Sequence, residues 1–367
     1  MGDLDGNKAG QYKAYYDIIR LIAIFLVVFN HTPAFHFPFQ STGESLLVLA
    51  MMFVSAFDKV AVPLFFMITG ALLLPRQESI SVLLRKRVLR VLVVILLFHV
   101  VQSAWYLLDG GVNGVGIRSF LGDCFWGSVN HGYVLGSVGA GAVWFLYAYL
   151  GLMLMLPFLR SMVAGMTTVH FWYLFGLQIV CVIMVPILFS MVTGYSTADS
   201  GILRYLPLCG NVLVYVLAGY YVEERVDVNK LGGKHVGCLV LASAVCVAMA
   251  AIMPELLRWR MQAPLLSQYV PGMTAFMLIP CMTIVIIMKK LCRYQLSRGV
   301  SVILRALGGA VFTVMLVENI LRTVISRYFV EYNSSYLPSI WVAGLVCLVG
   351  LALGLVLRRV PLLKKLL

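Results

Sequence analysis

The sequence predicts an all-α integral membrane protein, a bundle of about ten transmembrane helices with both termini in the cytoplasm. Its 367 residues are 61% apolar and only 12% charged, whereas a soluble domain carries about 25% charged residues. Apolar stretches of about 20 residues, the length that spans a bilayer as a helix, fill nearly the whole chain. No extension of domain size interrupts them, so residues 1–367 are assigned to a single polytopic membrane domain.

The apolar stretches place the spans in order along the chain. The predicted spans are 15 to 36, 58 to 74, 88 to 108, 143 to 159, 171 to 193, 206 to 222, 236 to 253, 270 to 288, 303 to 326 and 340 to 357. Residues 44 to 57 are also apolar, but only Asp58 and Lys59 separate them from the second span. Because that break is too short for a turn between two full spans, 44 to 57 is predicted to be an interfacial or re-entrant segment.

Lysine and arginine set the predicted orientation. Twenty of the 28 basic residues fall on one set of loops and six on the other, while Arg20 and Arg322 lie within spans. Cytoplasmic loops carry the excess of positive charge, so both termini are expected in the cytoplasm. The net charge of +13 is therefore interpreted as topology and contact with membrane lipids, and no nucleic acid is expected.

The remaining polar features are sparse. The longest connection on the predicted outer face, from Asp109 to Ala142, is long enough to be a substrate-facing element. Eight cysteines are scattered without a C-x-x-C pair or ligand spacing, which predicts neither a metal site nor a tightly bound cofactor.

Ionisable residues lie inside the first predicted span, which reads YYDIIRLIAIFLVVFNHT from Tyr15 to Thr32. Charged groups are costly within a span and are therefore candidates for function. At about 100° per residue, the eleven steps from Arg20 to His31 place both side chains on one face, about 16 Å apart along the axis. Asp17, three residues before Arg20, shares that face. These three residues are therefore the functional candidates of this span.

The end of this span suggests a chemical role for His31. Pro33 disfavours helical geometry at Thr32, which places His31 in the last turn, at the negative end of the helix dipole. An imidazolium formed there by accepting a proton would be stabilised. The spacing is equally compatible with a structural interpretation, in which Arg20 extends to the interface and His31 caps its own helix with Asn30 or a neighbouring span.

Several motifs resemble the acyltransferase type 3 family of membrane O-acyltransferases. The Arg-x10-His spacing of Arg20 and His31 is one of them. VPLFFMITG, from Val62 to Gly70, is similar to the family's Phe-Phe-x-x-Ser-Gly stretch with threonine in place of serine, and LLRKRVLRVL resembles its Arg-x-x-Arg element at Arg87 and Arg90. Softer similarities extend the resemblance from about 15 to 325.

The resemblance implies an enzyme, a bacterial plasma (inner) membrane O-acyltransferase with acyl-CoA, most simply acetyl-CoA, as co-substrate. His31 is expected to act as a general base, and either direct transfer or a covalent acyl-histidine would suit it. Arg87 and Arg90 are expected to hold the phosphates of the acyl donor, and Asp17 and Arg20 to support the polar network. The implied acceptor is a hydroxyl of a cell-envelope glycan or its lipid-linked precursor.

One motif departs from the family. Met315, Leu316, Val317 and Glu318 stand where members often show aromatic-leucine-x-histidine. Glu318 and Arg322, spaced i and i+4, are interpreted as an intrahelical ion pair. Two other functions also fit ten helices with buried charges, namely a transporter of a glycan or lipid-linked intermediate and a sensor or scaffold built on the same fold.

Overall fold

The structure, a computed structural model, is helical throughout the part of the chain that it describes. It describes residues 12–32, 46–108, 140–194, 211–261, 276–292, 296–328, 336–361 and 363. The α-helices are α1 (Ala14–Asn30), α2 (Leu46–Phe57), α3 (Ala61–Leu73), α4 (Ile80–Leu83), α5 (Leu89–Leu108), α6 (Ala140–Gly165), α7 (Thr168–Gln178), α8 (Val185–Thr193), α9 (Asn211–Glu224), α10 (Gly233–Met261), α11 (Leu278–Leu291), α12 (Arg298–Tyr328) and α13 (Tyr336–Leu357).

Six helical stretches within the described residues are long and apolar enough to cross a membrane. They are Leu46–Leu73, Trp144–Gly165, Thr168–Thr193, Gly233–Met253, Arg298–Tyr328 and Tyr336–Leu357. The all-helical, multi-pass class is thereby confirmed. The total of ten spans stays a prediction, because four of the predicted spans, 15 to 36, 88 to 108, 206 to 222 and 270 to 288, are not among these six.

The prediction that 44 to 57 forms a separate interfacial or re-entrant segment is wrong for residues 46–57. The helix α2 continues through a single 3₁₀ turn, Asp58–Val60, into α3, giving one helix of 28 residues. Two adjacent charges do not break this helix because their side chains point into the bundle. The Lys59 ammonium donates a hydrogen bond to Asn30 Oδ1 over 2.7 Å, and Asp58 is buried.

The first helix stands at the centre of the bundle. Its first half, including Tyr16 and Ile19, packs in a core with α3, α6, α9 and α11, while its second half, including Ile24 and Val28, packs in a second core with α5, α12 and α13. Both halves of α1 therefore pack against other helices, although Ile22 is exposed, and the face that carries Arg20 and His31 lines cavities within the protein.

The two described ends of the chain lie at the same end of the bundle. The Arg305 guanidinium lies 4.4 Å from the centre of the Tyr12 ring, and Arg358 donates a hydrogen bond to the Ala306 carbonyl. Both contacts involve the first turns of α12. This arrangement agrees with termini on one side of the membrane, while the assignment of that side to the cytoplasm stays a prediction.

Helices α3 and α9 touch backbone to backbone at a pair of glycines. A methyl group on Gly70 would overlap the Val216 carbonyl, and one on Gly219 would overlap the Met67 carbonyl. Small residues of this kind let transmembrane helices approach closely. The contact fixes the position of α3, whose side chains line the cavities described below.

Replacing Gly219 by alanine should therefore destabilise the protein, because the new methyl group meets a carbonyl rather than a flexible side chain. Overpacking of this kind costs about 1–3 kcal/mol, sometimes more. The measurement is the midpoint of thermal unfolding of purified protein in lipid nanodiscs. Gly151→Ala is the matched control, since nothing lies within 4 Å of the added methyl group there. Equal midpoints for the two variants would contradict the close approach.

Candidate active site

His31 lies immediately after the last residue of α1, in the position expected from Pro33. Its backbone N–H donates to the Val28 carbonyl over 3.2 Å, and that of Thr32 donates to the Phe29 carbonyl over 2.9 Å. The helix thus ends in a tight turn at His31. The imidazole is about one fifth exposed, which leaves it within reach of a bound molecule.

The imidazole makes a contact that the sequence did not predict. His31 Nδ1 lies 2.8 Å from Oε1 of Glu318, which belongs to α12 and is 3% exposed. The expected ion pair with Arg322 is present but longer, at 3.7 Å between Arg322 Nε and Glu318 Oε2. His31 is therefore a closer partner of the Glu318 carboxylate than Arg322 is. A carboxylate at Nδ1 fixes the tautomer and orientation of an imidazole and leaves Nε2 to act as a base.

Polar side chains on two helices support this carboxylate. Arg322 Nη2 donates to Asn319 Oδ1 over 3.1 Å, and Asn319 in turn donates to Gln102 Oε1 over 3.4 Å. Gln102 also bonds to the Leu316 carbonyl. This network ties α12 to α5 beside Glu318, so the carboxylate is held on a fixed element.

Asp17 and Arg20 bond to each other but lie towards the other end of α1 from His31. Arg20 Nη1 donates to Asp17 Oδ1 over 2.6 Å, and the Tyr12 hydroxyl donates to Asp17 Oδ2 over 2.8 Å. Asp17 is buried against Gly308 of α12, where any side chain on the glycine would overlap its carboxylate. Asp17 therefore orients Arg20, and in the described part of the chain no direct hydrogen bond connects this pair with His31.

Arg20 lines a cavity of about 620 Å³, which we call the arginine cavity. Its basic wall consists of Arg20, Arg76, Lys86, Arg87 and Arg90. The two arginines expected to bind phosphate, Arg87 and Arg90, thus face one space. A π-helical turn, Leu84–Val88, carries Arg87, and such turns are frequent at functional sites.

The arginine cavity also contains an acidic residue, Glu78, that was not predicted from the sequence. Glu78 accepts hydrogen bonds from Arg87 Nε over 2.7 Å, from Arg87 Nη2 over 3.2 Å and from Arg160 Nη2 over 2.9 Å. The Arg87 hydrogen bond holds the pKa of the Glu78 carboxyl below its usual range, and Arg160 acts in the same direction. Glu78 is therefore ionised at neutral pH and keeps the Arg87 guanidinium turned towards the cavity.

His31 lines a second cavity of about 400 Å³, the histidine cavity, together with Asn30, Asp58 and Lys59. Its other walls are mainly apolar and include five aromatic side chains, Phe65, Phe66, Trp144, Phe145 and Tyr215. Asp58 is 1% exposed, and neither of its carboxylate oxygens has a hydrogen-bond partner among the described residues. A buried carboxylate without hydrogen bonds is costly, so Asp58 is suited to accept them from a polar molecule in this cavity.

The two cavities meet at four apolar side chains. Ile24, Phe65, Phe145 and Met315 line both of them, and together they form what we call the partition. Helix α1 passes the partition, with Arg20 on one side and His31 on the other. The sequence spacing placed both residues on one face correctly, and the structure divides that face between two compartments.

Most of the predicted outer connection, 109 to 142, lies outside the described residues. In the described part of the chain, no group of three or more His, Cys, Asp and Glu side chains is arranged to hold a metal ion.

Comparison with known proteins gives one match. A family model described as an acyltransferase domain, the type 3 acyltransferase domain, matches residues 13–359. No curated protein and no solved structure matches the chain. The matched region includes both cavities and every residue discussed in this section except Tyr12.

Proposed function

Because the chain belongs to the acyltransferase type 3 family, we propose that it moves an acyl group from acyl-CoA to a hydroxyl of a cell-envelope glycan or its lipid-linked precursor. The acyl group is most simply acetyl, and the protein is a multi-pass protein of the bacterial plasma membrane. The proposal rests mainly on the contact between His31 and Glu318. This contact lies beside the histidine cavity, which meets the basic arginine cavity at the partition.

The arginine cavity suits the anionic part of the donor. Charged hydrogen bonds between guanidinium groups and phosphates are short and strong, and several cations converge on this cavity. The asymmetry of lysine and arginine predicts a cytoplasmic location for this end of the bundle, and acyl-CoA is found in the cytoplasm. The phosphates of the donor bind at Arg87 and Arg90, and Asp17 positions Arg20 beside them.

The chemical step takes place at His31. His31 Nε2 removes the proton from the acceptor hydroxyl while the hydroxyl oxygen attacks the carbonyl carbon of the thioester. The tetrahedral intermediate then collapses, the C–S bond breaks, and the CoA sulfur leaves with the proton that His31 had accepted. Glu318 holds the Nδ1 proton and stabilises the imidazolium between these two events. An acyl-histidine route would use the same residues with Nε2 as the nucleophile.

The test follows labelled acetyl groups from acetyl-CoA into the glycan fraction of membrane vesicles that carry the native acceptor. Vesicles with the protein should release CoA and label the glycan in equal amounts, whereas vesicles without it should do neither. The rival function, transport of a glycan or lipid-linked intermediate, predicts that the glycan crosses the membrane without gaining label. That result, with properly inserted protein, would overturn the acyltransferase proposal.

Arg87→Gln should raise the concentration of acetyl-CoA that gives half the maximal rate about 10- to 100-fold. A hydrogen bond to a charged group contributes about 1.5–3 kcal/mol, and each 1.4 kcal/mol corresponds to a factor of ten. The measurement is the rate of CoA release against acetyl-CoA concentration. The matched control is Arg85→Gln, because Arg85 is exposed on the same turn and is not among the residues that line the cavity. Similar donor requirements in both variants would contradict phosphate binding at Arg87.

A further inference from the structure

The partition between the two cavities is built from four helices. Ile24 comes from α1, Phe65 from α3, Phe145 from α6 and Met315 from α12. Every member is apolar, although both cavities also have charged walls. A group that passes from Arg87 to His31 must therefore cross an apolar layer between two polar compartments.

Three sides of the partition are firmly packed. The Phe145 ring lies 6.0 Å from the ring of Phe65, 5.1 Å from that of Phe66 and 6.1 Å from that of Tyr149, measured between ring centres. Ile24 is 1% exposed. Each aromatic ring limits the rotation of the next, so Phe65 and Phe145 are not free to open a wide passage.

Met315 is the adaptable member. It is a buried residue of α12, and methionine has an unbranched side chain with three rotatable bonds that fits irregular spaces. Met315 also precedes the His31 partner Glu318 by one turn of the same helix. Among the four members, Met315 is therefore the side chain whose change of rotamer would most easily open a narrow passage.

The chemistry of this layer separates the parts of an acyl-CoA. Phosphates and their hydration shells are too costly to place among apolar side chains, so they remain in the arginine cavity. The thioester and its acyl group are uncharged and pass more easily. The size of the acyl group then decides whether it fits beside two fixed rings and one flexible side chain.

We propose that the partition selects the acyl group, with Ile24 and Met315 setting the largest acyl chain that reaches His31. This inference rests on the proposed function and deepens it, since it assigns short acyl groups as the substrate class and names the residues that exclude longer ones. It also gives the partition a second role, which is to keep charged molecules from crossing between the two cavities.

The experiment compares acetyl-, propionyl- and butyryl-CoA with the full-length protein in vesicles that carry the native acceptor. Met315→Ala removes most of the flexible side chain, and the rate with butyryl-CoA relative to acetyl-CoA should rise at least about tenfold, because a single methylene group in an apolar site changes selectivity about 10- to 200-fold. The control is Leu316→Ala, which removes apolar volume from the neighbouring residue, a residue that lines neither cavity.

A second, smaller substitution keeps the proposal testable if Met315→Ala fails to fold. Ile24→Val removes one methyl group from the opposite wall and should raise the ratio of propionyl to acetyl transfer in the same direction. Ratios equal to wild type in both variants, with transfer retained, would overturn selection by the partition and leave the acyltransferase proposal intact. A wild-type protein that transfers none of the three acyl groups would instead overturn the proposed function.

Discussion

His31→Ala is expected to lower the rate of acyl transfer about 10²- to 10⁴-fold. A well-placed general base contributes this much because the attacking hydroxyl must lose its proton as it forms a bond with the carbonyl carbon. The proposed base has suitable surroundings, since Glu318 Oε1 lies 2.8 Å from Nδ1 of His31 and the residue lines a cavity of about 400 Å³. Acetyl-CoA should still bind to this variant, because the phosphate-binding wall lies beyond the partition.

Two measurements on membranes with matched protein levels check this expectation. The first is labelled acetyl in the glycan fraction, and the second is binding of acetyl-CoA to the purified variant. His235→Ala serves as control, because His235 is exposed in the first turn of α10. Transfer by His31→Ala at more than about one tenth of the wild-type rate would exclude His31 as the base. Label that stays on wild-type protein after acid-free denaturation, and is absent from the variant, would favour the acyl-histidine route.

The sequence predicted well those features that depend on neighbouring residues in the chain. Composition and run length predict membrane helices because each span must be apolar over about 20 residues. The helical period predicts that Arg20 and His31 share a face, and Pro33 predicts where α1 ends. Each of these inferences needs only local geometry, and the structure agrees with each.

Tertiary packing decided the features that the sequence did not predict. Glu318 is 287 residues from His31, so the i, i+4 spacing to Arg322 was the only partner visible in the sequence. The position of Glu318, a carboxylate within an apolar span, was the one available signal. Asp58 and Lys59 were wrongly interpreted as a break between two helical segments for a similar reason. Their burial depends on helices that are distant in the chain. Glu78 lies beside a run of basic residues, and the sequence pattern there did not indicate a role for a single acidic residue.

The packing also changes the role expected for Asp17. The sequence placed Asp17, Arg20 and His31 in one polar group, whereas the structure pairs Asp17 with Arg20 and places Glu318 at His31. One helix therefore lines both cavities, with Arg20 of its first half at the arginine cavity and His31, just after its last turn, at the histidine cavity. Two carboxylates perform parallel tasks at the two ends, since each orients a basic side chain that faces a cavity.

The role of Glu318 is open to a direct test. Glu318→Gln should reduce the maximal rate about 10- to 10³-fold and leave the half-saturating concentration of acetyl-CoA unchanged. Glutamine keeps the size of the side chain but removes the charge that stabilises the imidazolium, and its amide can face His31 in an orientation that favours the wrong tautomer. The effect should fall on the chemical step, because Glu318 does not line the arginine cavity.

Arg322→Gln separates catalysis from helix stability. This substitution removes the 3.7 Å ion pair within α12 but leaves the 2.8 Å contact between Glu318 and His31. If Glu318 acts through His31, the maximal rate falls much further in Glu318→Gln than in Arg322→Gln, while the thermal unfolding midpoints of the two variants stay similar. If both substitutions lower the rate equally, the carboxylate matters through its arginine, and His31 would have to work without a carboxylate partner.

Glu318→His adds a third comparison, since histidine is the residue that family members often carry there. Recovery of activity in that variant, relative to Glu318→Gln, would show that the position requires a polar partner for His31 rather than a negative charge.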